Sequence, residues 1–136
     1  MISGILYAPA DSMSRAVATL ADLSQRFAEK YRPAVEACRK LHLPLTLCTI
    51  YNGNFPDADF QRLASTALMV FNDVILRVGI EFRLTIIDLR FVCSSPADYA
   101  NPIEPSSLGG AKIARTIVNL VVAGGHTENA ARVVTS

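Results

Sequence analysis

Glu104 is the residue whose type and setting best suit proton transfer. It lies in a stretch punctuated by Pro96, Pro102 and Pro105. A carboxylate becomes a useful general base when burial raises its pKa. Glu104 could equally pair with Lys112 or Arg115 as a solvated loop carboxylate. Asn52 follows an apolar run, where a ligand would be read, or it serves loop chemistry with Gly53. Asp88 ends a second apolar run and either touches a site or caps a turn. Asn72-Asp73 falls within a helical pattern, where residues face solvent unless the Asn reaches a neighbouring loop. Cys93 with His42 or His126 is the one available thiol–imidazole pairing, and no motif supports it. The two histidines are too scattered for a dedicated zinc site, and no metal or organic cofactor is indicated. Gly109-Gly110 opens a helix, a place that can hold an anion or permit close packing.

The elements that must position these residues follow from periodicity. Residues 1–11 read as a loop, and Ser12 or Ser14 can cap a helix. Val17, Leu20, Leu23, Phe27, Tyr31, Val35 and Cys38 recur at steps of three or four, which predicts one inward helical face. Pro33 inside that pattern predicts a kink or a restart, and His42 and Pro44 end the element. Residues 45–50, Leu-Thr-Leu-Cys-Thr-Ile, are apolar and β-branched and predict a buried strand. Asp57 or Asp59 can cap a second helix with Phe60, Leu63, Ala67, Val70, Val74 and Val78 inward and Gly79 as its C-terminal cap. Residues 84–89 predict a second strand. Residues 90–106 read as a long loop, of the length that is usually functional or disordered. Ser106 or Ser107 caps a last helix running to about Val122, stopped by Gly124-Gly125. Residues 1–123 form one α/β module and 124–136 an unassigned tail.

Strand, helix, strand with a helix of this length is a parallel βαβ unit. In such sheets ligands bind beyond the carboxyl ends of the strands, which selects residues 49–54 and 88–106. Two parallel strands with three long helices make an uncomfortable domain. The chain is also apolar: 51% hydrophobic and 18% charged, against typical values of about 45–50% and about 25%. The sheet is therefore expected to take further strands, from an upstream segment, another chain or a swapped protomer. Thirteen basic and 12 acidic residues leave a net charge of +1, with no basic stripe, so nucleic acid is not the expected partner. Three cysteines without a C-x-x-C spacing read as reduced thiols in a cytoplasmic protein, with Cys38 and Cys48 in the core. The apolar stretch 63–80 is interrupted by Asn72, Asp73 and Arg77, and no membrane span is expected.

Four segments carry a family likeness: Cys48-Thr49-Ile50-Tyr51-Asn52; Phe71-Asn72-Asp73-Val74-Ile75; Ile87-Asp88-Leu89-Arg90; and Asp98-Tyr99-Ala100-Asn101-Pro102-Ile103-Glu104-Pro105-Ser106 followed by Gly109-Gly110-Ala111. In order and spacing they resemble the second half of an SGNH (GDSL-type) ester hydrolase. The resemblance implies a flavodoxin-like three-layer sandwich, a parallel sheet between helices, with its N-terminal strands missing here. It implies a serine nucleophile near the start of the fold, oxyanion donors from intermediate blocks, and a late D-x-x-H segment carrying the orienting carboxylate and general base.

Two departures bear on activity. No Gly-Asp-Ser and no Gly-x-Asn-Asp occurs in the sequence. In the late block the aspartate position matches Asn101 and the histidine position matches Glu104. Asn101 has no charge with which to stabilise an imidazolium. Asp98 could stand in for the displaced aspartate, or be a turn residue ahead of Tyr99. The expectation is an esterase-like module that is inactive alone, with a small ester as the ligand of the parent chemistry. The alternative is a non-catalytic assembly module that completes its sheet as a homo-oligomer or with a missing N-terminal half.

Overall fold

The computed structural model describes residues 11–124 and 131–135. Helix α1 spans Met13–Arg39, with the Ser12 hydroxyl accepting from the Arg15 amide. Strand β1 is Thr46–Cys48. Helix α2 spans Ala58–Glu81, with the Asp57 carboxylate accepting from the Phe60 amide at 2.7 Å. Strand β2 is Thr85–Ile87, followed by the short helix α3, Leu89–Val92, and a 3₁₀ turn, Pro96–Asp98. Helix α4 spans Ser107–Val122, capped by Ser106, and strand β3 is Arg132–Val134.

The strands form one parallel sheet in the order β1-β2-β3. Thr46, Thr85 and Arg132 align across it, and two residues on Cys48, Ile87 and Val134 align. The fold class is α/β. Alternate strand residues face opposite ways. Leu47 and Ile86 join Val35 of α1 and Val74, Ile75 and Val78 of α2 in one apolar cluster. Ile87 turns to the other side and packs with Leu89, Val92, Cys93 and Leu120 of α4. Central β2 is accordingly shut off from solvent, with Ile86 and Ile87 at 0% and 1% exposure.

Several sequence expectations are corrected. A third strand lies within the residues expected to be an unassigned tail. Three residues are too short to display a period, and β3 is defined by its pairing to β2. The predicted six-residue strands shrink to three residues each. Helix α1 passes through Pro33 without restarting. Pro33 and Glu29, whose carbonyl loses its helical donor at the proline, are both exposed. The ends of the predicted α1 stripe do not reach the core: Val17 is 56% exposed and Cys38 is exposed. A helix of 27 residues is about 40 Å long, whereas a three-residue strand covers about 10 Å, so α1 overruns the sheet. Leu63, predicted inward on α2, is 48% exposed. Cys48, also predicted core, is exposed because β1 is an edge strand.

Gly79 does not cap α2. It lies inside the helix, where an added Cβ would sit 2.5 Å from Ile86 Cδ1, so the glycine lets α2 approach β2. The helix ends one turn later. The Arg83 amide donates to the Ile80 carbonyl and the Leu84 amide to the Gly79 carbonyl, with Arg83 at φ 56°. That is a Schellman ending with arginine at the position usually held by glycine. Despite Asn72, Asp73 and Arg77, α2 is long and apolar enough by length and composition to cross a membrane; 44% of the qualifying window is buried within the fold.

Candidate functional site

The carboxyl ends of β1 and β2 gather most of the predicted site residues, and their polar atoms are spent on one another. Asp88, 3% exposed, accepts from the Thr49 hydroxyl at 2.8 Å and from Arg90 Nε and Nη2 at 2.8 and 2.6 Å. Thr49 Oγ1 accepts in turn from the Leu89 amide at 2.9 Å. Burial, the largest influence, pushes the Asp88 carboxyl up. The Arg90 and Thr49 hydrogen bonds together outweigh it and hold the group below the ordinary carboxylate range. Asp88 is thus a structural anion that caps the chain as it leaves β2.

Asn72 is buried at 1% exposure. Its Oδ1 accepts from the Ile50 amide at 2.7 Å and its Nδ2 donates to the Ile50 carbonyl at 2.9 Å. The side chain therefore substitutes for a neighbouring strand at the point where β1 ends. Of the two sequence alternatives for Asn72, the loop contact is the one observed. Asp73 faces solvent and pairs with Arg77 at 2.6 Å.

Residues 90–106, expected to form a long loop, hold a short helix, a 3₁₀ turn and a bridge. A bridge joins Tyr99 to Pro105, and the Tyr99 hydroxyl donates to the Cys93 carbonyl at 2.8 Å. Burial, with the Cys93 side chain adding to it, pushes the Tyr99 phenol up to about 12. The loop after β1 is laced onto this segment. The Tyr51 hydroxyl donates to the Ile103 carbonyl at 2.9 Å, the Asn54 amide donates to the Pro102 carbonyl at 2.9 Å, and the rings of Tyr51 and Tyr99 meet edge-on at 5.7 Å. Asn52 lies half-buried in that laced loop, and its carbonyl faces Gln61 Nε2 at 3.5 Å.

Asn101 and Glu104 do come together, as the sequence spacing requires. Asn101 Oδ1 accepts from the Ile103 and Glu104 amides at 3.0 and 2.9 Å, and its Nδ2 donates to Glu104 Oε2. This is an Asx turn closed on itself. Both residues are exposed. Glu104 does not pair with Lys112 or Arg115; Lys112 is committed to Asp98.

Asp98 is the residue that sequence reasoning undervalued. It is 0% exposed, lies 2.6 Å from Lys112 Nζ, and accepts from the Ser95 amide at 2.9 Å. The Lys112 contact, the largest influence, holds its carboxyl below the usual range against the effect of burial. Its carbonyl accepts from Ser106 N at 2.8 Å, and an added Cβ on Gly109 would lie 2.1 Å from the Asp98 carbonyl oxygen. Gly109 therefore serves close packing, against the 3₁₀ turn rather than a strand. The available signal was Ser95-Pro96-Ala97-Asp98, a capping-box spacing with proline at the first helical position.

Cys93 is 2% exposed, and burial raises its thiol, the reverse of what a nucleophilic cysteine needs. His42 lies at the opposite end of the sheet, beside the start of β1, and His126 falls outside the described residues. No group of three or more His, Cys, Asp or Glu capable of holding a metal ion occurs among the described residues.

A second feature lies along the free side of β1. Helix α4 covers β2 and leaves the outer face of β1 bare. Pro44, Thr46 and Cys48 there face Ile117 and Val121 of α4 across a cleft of about 270 Å³. Ile117, Val118, Val121 and Val122 are all more than two-fifths exposed. The buried Thr46 hydroxyl has no hydrogen-bond partner among the described residues. No protein-family model matches this chain, and neither does any curated protein or solved structure.

Proposed function

We propose that this chain is an SGNH-hydrolase-like half-fold, part of a flavodoxin-like three-layer sandwich, that has no ester-hydrolysing chemistry of its own and acts by completing its sheet across β1. The observation that carries the reading is the bare β1 edge beside an apolar α4 face. An exposed parallel edge strand is a ready template for further strands, and parallel sheets are normally covered on both faces. The orphaned Thr46 hydroxyl at that edge points the same way. A second copy of the chain, or a polypeptide supplying the first half of the fold, would meet the need. Three free cysteines fit a reducing, cytoplasmic setting.

The inactive half of the proposal rests on the late block. A general base needs a free lone pair aimed at the proton it takes. Asn101 closes its own turn, and Glu104 shares that turn while exposed to water. Neither orients an imidazole. Incubation with a short-chain p-nitrophenyl ester is expected to give no turnover above a Glu104→Ala control; turnover that this substitution abolishes would overturn the inactive reading. Light scattering after size exclusion tests association. The expected species is larger than a monomer, and Cys48→Lys, which places a charge on the bare face of β1, is expected to shift it toward monomer. A folded monomer at all concentrations, with no response to added N-terminal SGNH fragments, would overturn sheet completion.

A further inference from the structure

We infer that the amino ends of the strands form a binding site for a small phosphate-bearing anion, separate from the β1 edge and from the loops discussed above. A groove of about 720 Å³ runs there between the end of α1 and the α2–β2 turn. Its charged lining is Arg39, Lys40 and Arg83 against Glu36, with His42 beside them. Glu36 already faces Arg32 at 3.7 Å. Among the described residues, Arg39, Lys40 and Arg83 have no carboxylate partner. Arg83 is distant in sequence from Arg39 and Lys40, and the fold brings it to them.

Two further observations make the groove more than a set of surface cations. The first is the placement of Arg39. Its guanidinium lies over the Phe82 ring at 4.5 Å, while Arg32 lies over the same ring at 5.2 Å. Arg32 is held in addition by an ion pair with Glu81. A stacked guanidinium loses less freedom when it binds an anion, and its fork suits phosphate oxygens. The second is the backbone. Described non-glycine residues with positive φ are His42 at 54° and Arg83 at 56°, and both line this groove. The left-handed region is unfavourable for a residue with a β-carbon, and glycine would occupy it without penalty. Such strain clusters at ligand-binding positions. An arginine held where glycine is the cheaper choice is explained if its side chain is used.

The ends of α1 and α2 place partial negative charge at this end of the sheet, each roughly half an elementary charge. Three side-chain cations exceed that sum and the Glu36 carboxylate together by about one charge, so the groove stays net positive. The size of the cavity exceeds that of one phosphate group and suits a phosphate ester or a pyrophosphate.

The test titrates pyrophosphate into the full chain by calorimetry at low and high salt, comparing wild type with Arg39→Ala, Lys40→Ala and Arg83→Gly. Arg83→Gly is the informative variant, because glycine suits the backbone there and the substitution removes the guanidinium without threatening the fold. Binding is expected at low salt, falling with ionic strength. Each substitution is expected to weaken it about fivefold, the effect of one unit charge at close range in a solvated site. Arg62→Ala and Arg77→Ala, on the outer side of α2, are expected to leave the affinity unchanged. Absence of binding at millimolar pyrophosphate, or equal weakening by the α2 controls, would overturn the proposal. Tighter binding of duplex RNA than of pyrophosphate, unaffected by Arg83→Gly, would also overturn it.

Discussion

The two ends of the sheet use polar residues in opposite ways. At the carboxyl end, Thr49, Asn72, Asp88, Asp98 and Asn101 all have partners inside the chain. At the amino end, Arg39, Lys40 and Arg83 are left without counter-charge among the described residues and the backbone is held in a left-handed conformation twice. Residue type alone would select the carboxyl end as the site, since it holds the carboxylates and amides. Satisfaction selects the other end. A polar atom whose valence is filled by its own fold is scaffolding; one that is unmatched is available to a ligand.

The sharpest way to break this contrast is to damage the carboxyl end and see whether stability collapses. Gly109→Ala would drive a methyl group into the Asp98 carbonyl at 2.1 Å, and neither backbone segment can yield easily. A loss of about 3 kcal/mol or more is expected, read from the urea midpoint. Asn72→Leu would leave the part-buried Ile50 amide and carbonyl without their side-chain partners, at a cost of about 1–3 kcal/mol. If both variants are as stable as wild type, the carboxyl end is not a structural hub.

Much of this was legible in the residues and some was not. The long helices announce themselves by threes and fours, and Ser12, Asp57 and Ser106 mark their starts as capping chemistry requires. The failures have common physical causes. Periodicity reports which face of a helix is apolar, not how far the sheet beneath it extends, so it places Val17 and Cys38 in a core that ends before reaching them. A glycine late in a helix reads as a cap, as Gly79 does, although close approach to Ile86 is its purpose and Arg83 terminates the helix. Strand β3 exists through pairing to β2, which no local pattern encodes. Asp98 resembled a turn residue because its partner, Lys112, lies on another element. Spacing alone brings Asn101 and Glu104 together, but their closure into an Asx turn depends on backbone geometry that spacing does not encode.

Acid should separate the two ends next. The carboxyls of Asp88 and Asp98 are both held below their ordinary values in the folded chain. A depressed folded pKa contributes stability that is fully present above the unfolded value, near 4, and is lost as pH falls through the folded value. Urea midpoints are therefore expected to be level from pH 7 to about 5 and to drop below pH 4. Asp98→Asn should start less stable at neutral pH and show a shallower acid loss. An Asp98→Asn profile parallel to wild type would mean that the buried carboxylate is not the acid-sensitive group.

The smallest expected effect has the opposite sign, and it bears on the amino end. Arg83→Gly relieves a left-handed conformation at the end of α2 while keeping the Ile80 and Gly79 carbonyls paired with the same backbone amides. Glycine also gains freedom in the unfolded chain, which offsets part of the relief. The net is a gain of about 0.5–1 kcal/mol, a shift of a few degrees in Tm for a domain of this size. A destabilised Arg83→Gly would mean that the guanidinium holds the fold together, and the amino end would then be scaffolding like the carboxyl end. A stabilised variant that has also lost anion affinity would leave a single account of the arginine: the chain tolerates strain at this turn because the charge it carries is used.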